Sequence, residues 1–253
     1  MSFIELKHVS KRFGSLIVLK NLDLKIEKGQ SLVVIGASGT GKSVLLKHIV
    51  GLLRPDAGEV WFDGRRIDTL AERPLVDVRR RFGFLFQMGA LFDSLTVADN
   101  IAFPLVEHTQ KSREEIAGLV KQKLRLVGLP EANLKMPGEL SGGQRKRVAL
   151  ARAIALDPEV ILYDEPTTGL DPVRSDVINE LILKLKRELN VTSIVVTHDM
   201  NSAFKVADRI VMLHEGHIIF DGSPTEIQKS TVPEVKRFVE GEADAKELAT
   251  LKL

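Results

Sequence analysis

The sequence predicts an α/β fold in which helices surround a buried, mainly parallel sheet. Three short, mainly apolar runs carry this prediction, at residues 32–35, 160–163 and 193–196. None of them alternates between apolar and polar residues, so each is expected to form a strand that is buried on both faces, as in parallel sheets. Helical stretches precede the second and third runs, which provides the crossovers that parallel neighbours require.

Length and composition fit one globular domain over 1–253. The chain has 44% hydrophobic and 28% charged residues, which is enough to bury a core. The lack of cysteine excludes disulfides, thiolate metal sites and a cysteine nucleophile. A formal net charge of +2 gives no argument for a nucleic-acid partner, and we expect none. No apolar stretch approaches the ~20 residues of a membrane-spanning helix, so we expect the chain not to cross a membrane itself.

The remaining elements divide this domain into parts. Loosely alternating residues over 3–26 and 59–63 predict an antiparallel β layer. Apolar spacing over 115–128 predicts an amphipathic helix, and prolines punctuate the residues around it. We therefore predict a core and β subdomain from residues 1–87 and 151–230, a helical subdomain over 88–150 and a charged, helical appendage over 231–253.

A glycine-rich segment follows the first apolar run and matches the P-loop pattern. Its glycines let backbone N–H groups surround a phosphate without side-chain clashes, and the following helix N-terminus adds partial positive charge. Lys42 is expected to reach the β- and γ-phosphates, and Ser43 is expected to ligate Mg²⁺. The alternative is a structural turn. The predicted nucleotide-binding residues here are Gly36, Ala37, Ser38, Gly39, Thr40, Gly41, Lys42 and Ser43.

Two carboxylates, Asp164 and Glu165, end the second apolar run. At the carboxyl end of a parallel strand they are expected to face a ligand crevice. Asp164 can hold Mg²⁺ through water, and Glu165 can polarise an attacking water molecule. The alternative is a pair of acids at a helix N-terminus before Pro166.

A second anion-binding helix start lies at Ser141, Gly142, Gly143 and Gln144. Ser141 can cap the helix, and the two glycines expose backbone N–H groups. One nucleotide does not need two such sites from one subunit, so we expect this one to contact the γ-phosphate bound by another copy. The alternative is a capped helix with a solvated basic face at 145–147.

Together these segments resemble the ATP-binding subunits of ABC transporters over nearly the whole chain. The resemblance implies a P-loop NTPase (RecA-like) core with an antiparallel β subdomain and an inserted α-helical subdomain, with ATP and Mg²⁺ bound between two copies. It also implies that Gln87 senses Mg²⁺ and water and that His198 contacts the γ-phosphate. Phe13 stands where the family often has a tyrosine that stacks on adenine. Residues 168–171 match the family's D-loop and keep its Leu-Asp end.

Residues 88–109 resemble the ATPases of MCE-associated (Mla-type) lipid transporters. This likeness implies phospholipid transport through a membrane permease, an MCE-domain partner and a peripheral place on the cytoplasmic face of the inner membrane. Ala90, Leu91 and Phe92 are expected to be exposed and to contact the permease. The alternatives are the ATPase of an amino-acid-type importer and a soluble ABC protein that acts on DNA or ribosomes.

Two further groups receive simpler interpretations. The arginines at 79–81 are expected to form a solvated helix face, with lipid headgroups or a neighbouring subunit as the alternative contact. His214 and His217 flank the turn of an apparent hairpin. With no third ligand nearby, a metal site is not expected there.

Overall fold

The structure is a computed structural model that describes residues 2–243, and it contains two sheets with helices around the larger one. The strands are β1 (Ile4–Phe13), β2 (Leu16–Ile26), β3 (Ser31–Ile35), β4 (Ala57–Phe62), β5 (Arg65–Arg66), β6 (Phe82–Leu85), β7 (Val160–Asp164), β8 (Thr192–Val196), β9 (Arg209–His214) and β10 (His217–Gly222). The helices are α1 (Lys42–Ile49), α2 (Glu72–Arg79), α3 (Val97–His108), α4 (Arg113–Leu126), α5 (Gly142–Ala153), α6 (Pro172–Leu189), α7 (Met200–Val206), α8 (Pro224–Ile227) and α9 (Pro233–Glu240).

The larger sheet has the order β10-β9-β3-β8-β7-β6. All neighbours from β9 to β6 pair in parallel, and β10 closes the edge as an antiparallel hairpin partner of β9. The three apolar runs of the sequence form β3, β7 and β8, which lie side by side. Every residue of these three strands is buried. The predicted parallel sheet is therefore confirmed.

Both faces of this sheet are covered, which explains the absence of alternation. In β3, Leu32 and Val34 pack into a core that also contains residues of β1, β2, α1 and α2. Val33 and Ile35 point into a second core with residues of α3 to α7. Burial of apolar surface in two cores stabilises the fold at roughly 25 cal/mol per Å². Most positions of these strands therefore carry apolar side chains, whichever face they occupy.

The smaller sheet is the predicted antiparallel β layer. Its order is β2-β1-β4-β5, with β1 antiparallel to both β2 and β4. Residues of β1 such as Ile4, Leu6 and Val9 are buried against the larger sheet and α1. The remaining alternating positions face solvent or lie at intermediate exposure. This layer brings the β1–β2 turn towards the start of α1.

Three helices, α3 to α5, lie in or start in the region predicted as a helical subdomain. Helix α4 begins with a capping box, in which the Ser112 hydroxyl accepts from the Glu115 N–H and Glu115 accepts from the Ser112 N–H. Helix α5 continues to Ala153, so residue 150 lies inside a helix rather than at its end. The subdomain extents stay a prediction. Of the appendage, α9 is helical, and residues 244–253 lie outside the described residues.

The prediction of a solvated helix face for the arginines at 79–81 holds only for Arg80, which is exposed; it is wrong for Arg79 and Arg81, which are half-buried. Helix α2 ends at Arg79, whose guanidinium donates to the Gly51 carbonyl at 2.7 Å. Arg81 lies beyond the helix and bonds Glu159 at 2.5 Å and Asp63 at 2.6 Å. These side chains are held by acceptors on neighbouring elements. A local sequence pattern does not indicate such contacts. The guanidinium of Arg80 likewise donates to the carbonyl of His108.

The segment predicted to contact a permease is only partly exposed. Ala90 and Phe92 are exposed, as expected. Leu91 is half-buried and packs against the core cluster beneath α3 and α5, so the prediction of an exposed Leu91 is wrong. The Phe92 backbone is fixed by Asn100, whose side-chain amide both donates to its carbonyl and accepts from its N–H. Within residues 2–243, no helix has the length and apolar character to cross a membrane.

Candidate active site

The glycine-rich segment is a tight loop between β3 and α1. Gly36, Gly39 and Gly41 all have positive φ angles, of 148°, 81° and 100°. A Cβ atom at Gly36 would lie 2.3 Å from the Leu213 carbonyl oxygen, and one at Gly41 would lie 2.6 Å from a methyl carbon of Val18. The loop therefore requires glycine both for its backbone angles and for its space. The predicted strand–loop–helix context is confirmed.

Lys42 begins α1 and folds back over this loop. Its side chain is 6% exposed, and its ammonium donates to the carbonyls of Gly36 at 2.7 Å and Ala37 at 3.0 Å. The Glu165 carboxylate lies 3.9 Å from the same nitrogen. Burial lowers the pKa of Lys42, and the carboxylates of Glu165 and Asp164 oppose that shift. The Lys42 ammonium is thus held directly against the P-loop backbone.

Asp164, at the end of β7, contacts the first turn of α1. The Ser43 hydroxyl donates to its Oδ1 atom at 2.9 Å. Burial raises the pKa of Asp164, and the hydrogen bond from Ser43 opposes the shift. Two hard oxygen donors therefore lie together at the base of the loop. A cation placed there would offset the cost of burying the carboxylate.

Glu165 follows β7 with a φ angle of 50°, in the left-handed region. Its Oε2 atom lies 2.9 Å from Nδ1 of His198, which follows β8, and accepts from the Thr168 hydroxyl at 3.2 Å. Both contacts orient the carboxylate. The sequence pattern did not indicate a role for the Thr168 side chain. Its position three residues after Glu165, in the same loop, was the available signal.

These side chains meet at a cavity of about 540 Å³. The structure thus brings Gln87 and Phe13 to the same space as the P-loop, although they are distant in sequence. Gly36, Ala37 and Thr40 belong to the loop but not to the cavity wall, and Asp164 lies behind Ser43. The wall is formed by Phe13, Leu16, Val18, Ser38, Gly39, Gly41, Lys42, Ser43, Val44, Gln87, Glu165 and His198.

The second predicted anion-binding helix start does not join this cavity. Ser141 caps α5: its hydroxyl accepts from the Gln144 N–H at 3.3 Å, and its own N–H donates to the Gln144 side chain at 2.9 Å. Ser141 is exposed, and Gly142 and Gly143 form the first turn of the helix. These four residues are absent from the cavity wall of their own chain. Their predicted role toward another copy stays a prediction.

Lys146, in the second turn of α5, was missed by the sequence analysis. It was included in a solvated basic face, and for this residue that interpretation is wrong, because it is only 6% exposed. Its ammonium donates to the carbonyls of Gln87 at 2.5 Å and Glu165 at 3.2 Å. The available signal was helical spacing: Gly143 and Leu150, which share its face of α5, are buried as well.

Comparison with known proteins defines the family. The model of the ABC transporter family matches residues 19–168, more than half of the chain. The chain belongs to the ABC transporter family. It is 45% identical to the probable ribonucleotide transport ATP-binding protein Mkl of Mycobacterium leprae, over 94% of this chain and 69% of that protein. It is 44% identical to the intermembrane phospholipid transport system ATP-binding protein MlaF of Haemophilus influenzae, over 96% of this chain and 92% of that protein.

Solved structures agree with this assignment. The ATP-binding cassette MJ0796, in a dimeric post-hydrolysis state with ADP and Pi, superposes with a TM-score of 0.81 at 36% identity. The match covers 87% of this chain and 98% of that one. The fold class predicted from the sequence, a P-loop NTPase core with mixed sheets and helices, is confirmed. This chain is an ATP-hydrolysing ABC subunit.

Proposed function

We propose that this ABC ATPase powers phospholipid transport through a membrane permease. The observation that carries the proposal is the nearly complete match to H. influenzae MlaF, which covers 92% of that protein at 44% identity. The proposed complex also contains an MCE-domain lipid-binding protein. The ATPase lies on the cytoplasmic face of the inner membrane and binds it only through the permease.

A second candidate is ribonucleotide transport, which the name of the M. leprae relative states. The 45% identity to this relative is as high as the identity to MlaF, but the match covers only 69% of that protein. A ribonucleotide is a small polar solute, so this candidate is of the same kind as the importer that the sequence left open. The two candidates share the ATPase site and differ in the membrane subunit, and transport measurements therefore separate them.

In the proposed mechanism, Glu165 accepts the proton of the attacking water. His198 and Thr168 hold its carboxylate at 2.9 and 3.2 Å, which fixes the direction of the basic oxygen. Lys42 already lies at the loop, and a phosphate would take over the hydrogen bonds it now gives to two loop carbonyls. Gln87, at the rim of the same cavity, orients the water.

Mg²⁺ fits the residues at the base of the loop. Ser43 and Asp164 supply hard oxygen donors, and Mg²⁺ in phosphate-transfer sites typically uses one or two such groups together with phosphate oxygens. Gln87 is the proposed third contact. When bound, the ion would neutralise phosphate charge and hold the phosphates in place.

Another copy of this chain is the proposed partner that completes the nucleotide site. Ser141, Gly142 and Gly143 lie outside their own cavity, at the start of a capped helix whose partial positive charge suits an anion. Two copies arranged about a two-fold axis would each offer this helix start to the nucleotide of the other. ATP is then enclosed between the P-loop of one copy and residues 140–144 of the other, which the resemblance to ABC transporters identifies as the signature motif, and Phe13 packs on the base of the ATP.

A separate apolar groove of about 550 Å³ is the proposed permease contact. Phe92 lies beside Phe103, with ring centroids 4.9 Å apart, and Arg152 packs over its ring. Phe84 and Phe86, which line the same groove, stack with centroids 4.1 Å apart. A groove lined by aromatic rings suits an amphipathic helix from a partner. None of these residues belongs to the nucleotide cavity.

Replacing Phe92 by Ala is expected to weaken binding of the permease and leave the basal ATPase rate of the free protein unchanged. Phe92 is 43% exposed, and an aromatic anchor of this kind contributes about 2 kcal/mol or more, or roughly 30-fold in Kd. Co-purification with the permease and ATPase activity in solution are measured on one preparation.

Leu134→Ala is the matched control, because Leu134 is 81% exposed and lies outside the groove. It should change neither quantity. Loss of basal ATPase together with a lower unfolding temperature in Phe92→Ala would show that Phe92 serves the fold instead. Normal co-purification and normal lipid transfer in that variant would contradict the docking proposal.

A further inference from the structure

Lys146 connects three segments that are far apart in the sequence. It lies on α5, five residues after the cap Ser141, and its ammonium contacts the backbone of Gln87 and of Glu165. Both contacts are to carbonyl oxygens, at 2.5 and 3.2 Å. They therefore fix the backbone from which the Gln87 and Glu165 side chains extend, and not the side chains themselves.

A buried ammonium at this position has a desolvation cost that other interactions must offset. Burial lowers the pKa of Lys146, and the nearby carboxylates of Glu165 and Asp164 act against that shift. An apolar side chain would fill the space without that desolvation cost. The lysine instead donates hydrogen bonds to two carbonyls and places a positive charge beside two carboxylates. Glu165 also has a φ angle of 50°, a backbone conformation that an L residue keeps only where its surroundings hold it.

We propose that Lys146 is a positioning residue for ATP hydrolysis, which ties the signature helix α5 to the two segments that carry Gln87 and Glu165. Displacement of α5 would then move or release both backbone segments. A contact that the second copy makes at the start of α5 would thus be transmitted to Gln87 and Glu165 of the chain that carries this α5. The inference rests on the proposed roles of Glu165 and Gln87.

The test replaces Lys146 by Met, which keeps the length and removes every donor, and by Gln, which keeps an N–H₂ donor. We expect K146M to lower kcat roughly 10- to 100-fold, because a small misplacement of catalytic groups has effects of this size. The KM for ATP should stay within about threefold of wild type, because the P-loop and Lys42 are untouched. K146Q should recover much of kcat.

The matched control is Lys123→Met, on α4. Lys123 is also a buried lysine, 2% exposed, but it pairs with Asp157 away from the site. K123M should lose thermal stability and keep kcat. A kcat for K146M within about twofold of wild type would overturn the proposal. An equal loss of kcat in K123M, when the two variants have the same unfolding temperature, would also overturn it.

A double-variant cycle measures the coupling between two substitutions, a quantity that general destabilisation does not change. With Gln87→Ala already present, the effect of K146M on kcat should shrink several-fold, because one of the two side chains that Lys146 positions is already absent. Equal effects in both backgrounds contradict positioning. If K146M fails to fold, K146A, which also lacks every side-chain donor, takes its place in the cycle with the same two outcomes. Glu165→Gln is assayed in parallel: its full activity would reject the proposed site, whereas an inactive E165Q beside a normal K146M rejects the Lys146 proposal alone.

Discussion

Replacement of Glu165 by Gln is expected to lower ATP turnover by about 10²–10⁴-fold while the protein still binds ATP. The amide cannot accept the proton of the attacking water, although it occupies nearly the same volume between His198 and Thr168. Lys42 and the P-loop N–H groups remain in place to hold the phosphates. Turnover is measured as phosphate release, and binding is measured with a fluorescent ATP analogue.

Two companion variants make this result specific. Lys42→Ala removes the cation beside the loop, so it should weaken nucleotide binding itself. Glu159→Gln changes a carboxylate that pairs with Arg81 and Lys28, outside the cavity, and should leave turnover unchanged. Near-normal phosphate release by Glu165→Gln would remove this residue from the mechanism.

A mixture of two inactive variants is expected to regain activity. Lys42→Ala disables the P-loop, and Ser141→Arg places a bulky cation at the start of α5, so each variant alone should be inactive. In a mixed dimer, one site combines an intact P-loop with an intact signature. Random pairing of equal amounts makes about half of the dimers mixed, so about a quarter of the wild-type rate should return.

This experiment needs a control for the lost helix cap, which is typically worth about 1 kcal/mol. Ser112→Arg provides it, because Ser112 caps α4 with the same type of capping box as Ser141. That variant should remain an active ATPase. The wild-type rate should also rise more steeply than in proportion to protein concentration. Mixtures as inactive as both parents would show that the signature does not complete the site of another copy.

The sequence predicted best those parts in which local chemistry dictates the backbone. Gly36 and Gly41 have positive φ angles and no room for a Cβ atom, so the loop leaves a visible sequence pattern. The runs that form β3, β7 and β8 lack alternation because both faces of the sheet are covered. The positions of Asp164 and Glu165 follow from the end of one such strand.

The features that the sequence did not reveal depend on tertiary contacts. Lys146 stands between two arginines, and only the fold places the Gln87 and Glu165 carbonyls within its reach. Arg79 and Arg81 looked solvated for the same reason, since Gly51 and Glu159 lie far away in the chain. Leu91 belongs to an apolar run, and its neighbours differ in exposure only because the loop turns over the core.

The most direct test of the proposed function is transport by the reconstituted complex. The ATPase and its co-purified permease complex are placed in vesicles that contain a fluorescent phospholipid, and transfer to acceptor vesicles is followed with and without ATP. Radiolabelled ribonucleotide uptake is measured on the same vesicles, and the complex that carries Glu165→Gln serves as the control. We predict phospholipid transfer that requires ATP and is lost with Glu165→Gln, without ribonucleotide uptake. ATP-dependent uptake of ribonucleotide with no phospholipid transfer would contradict the proposal.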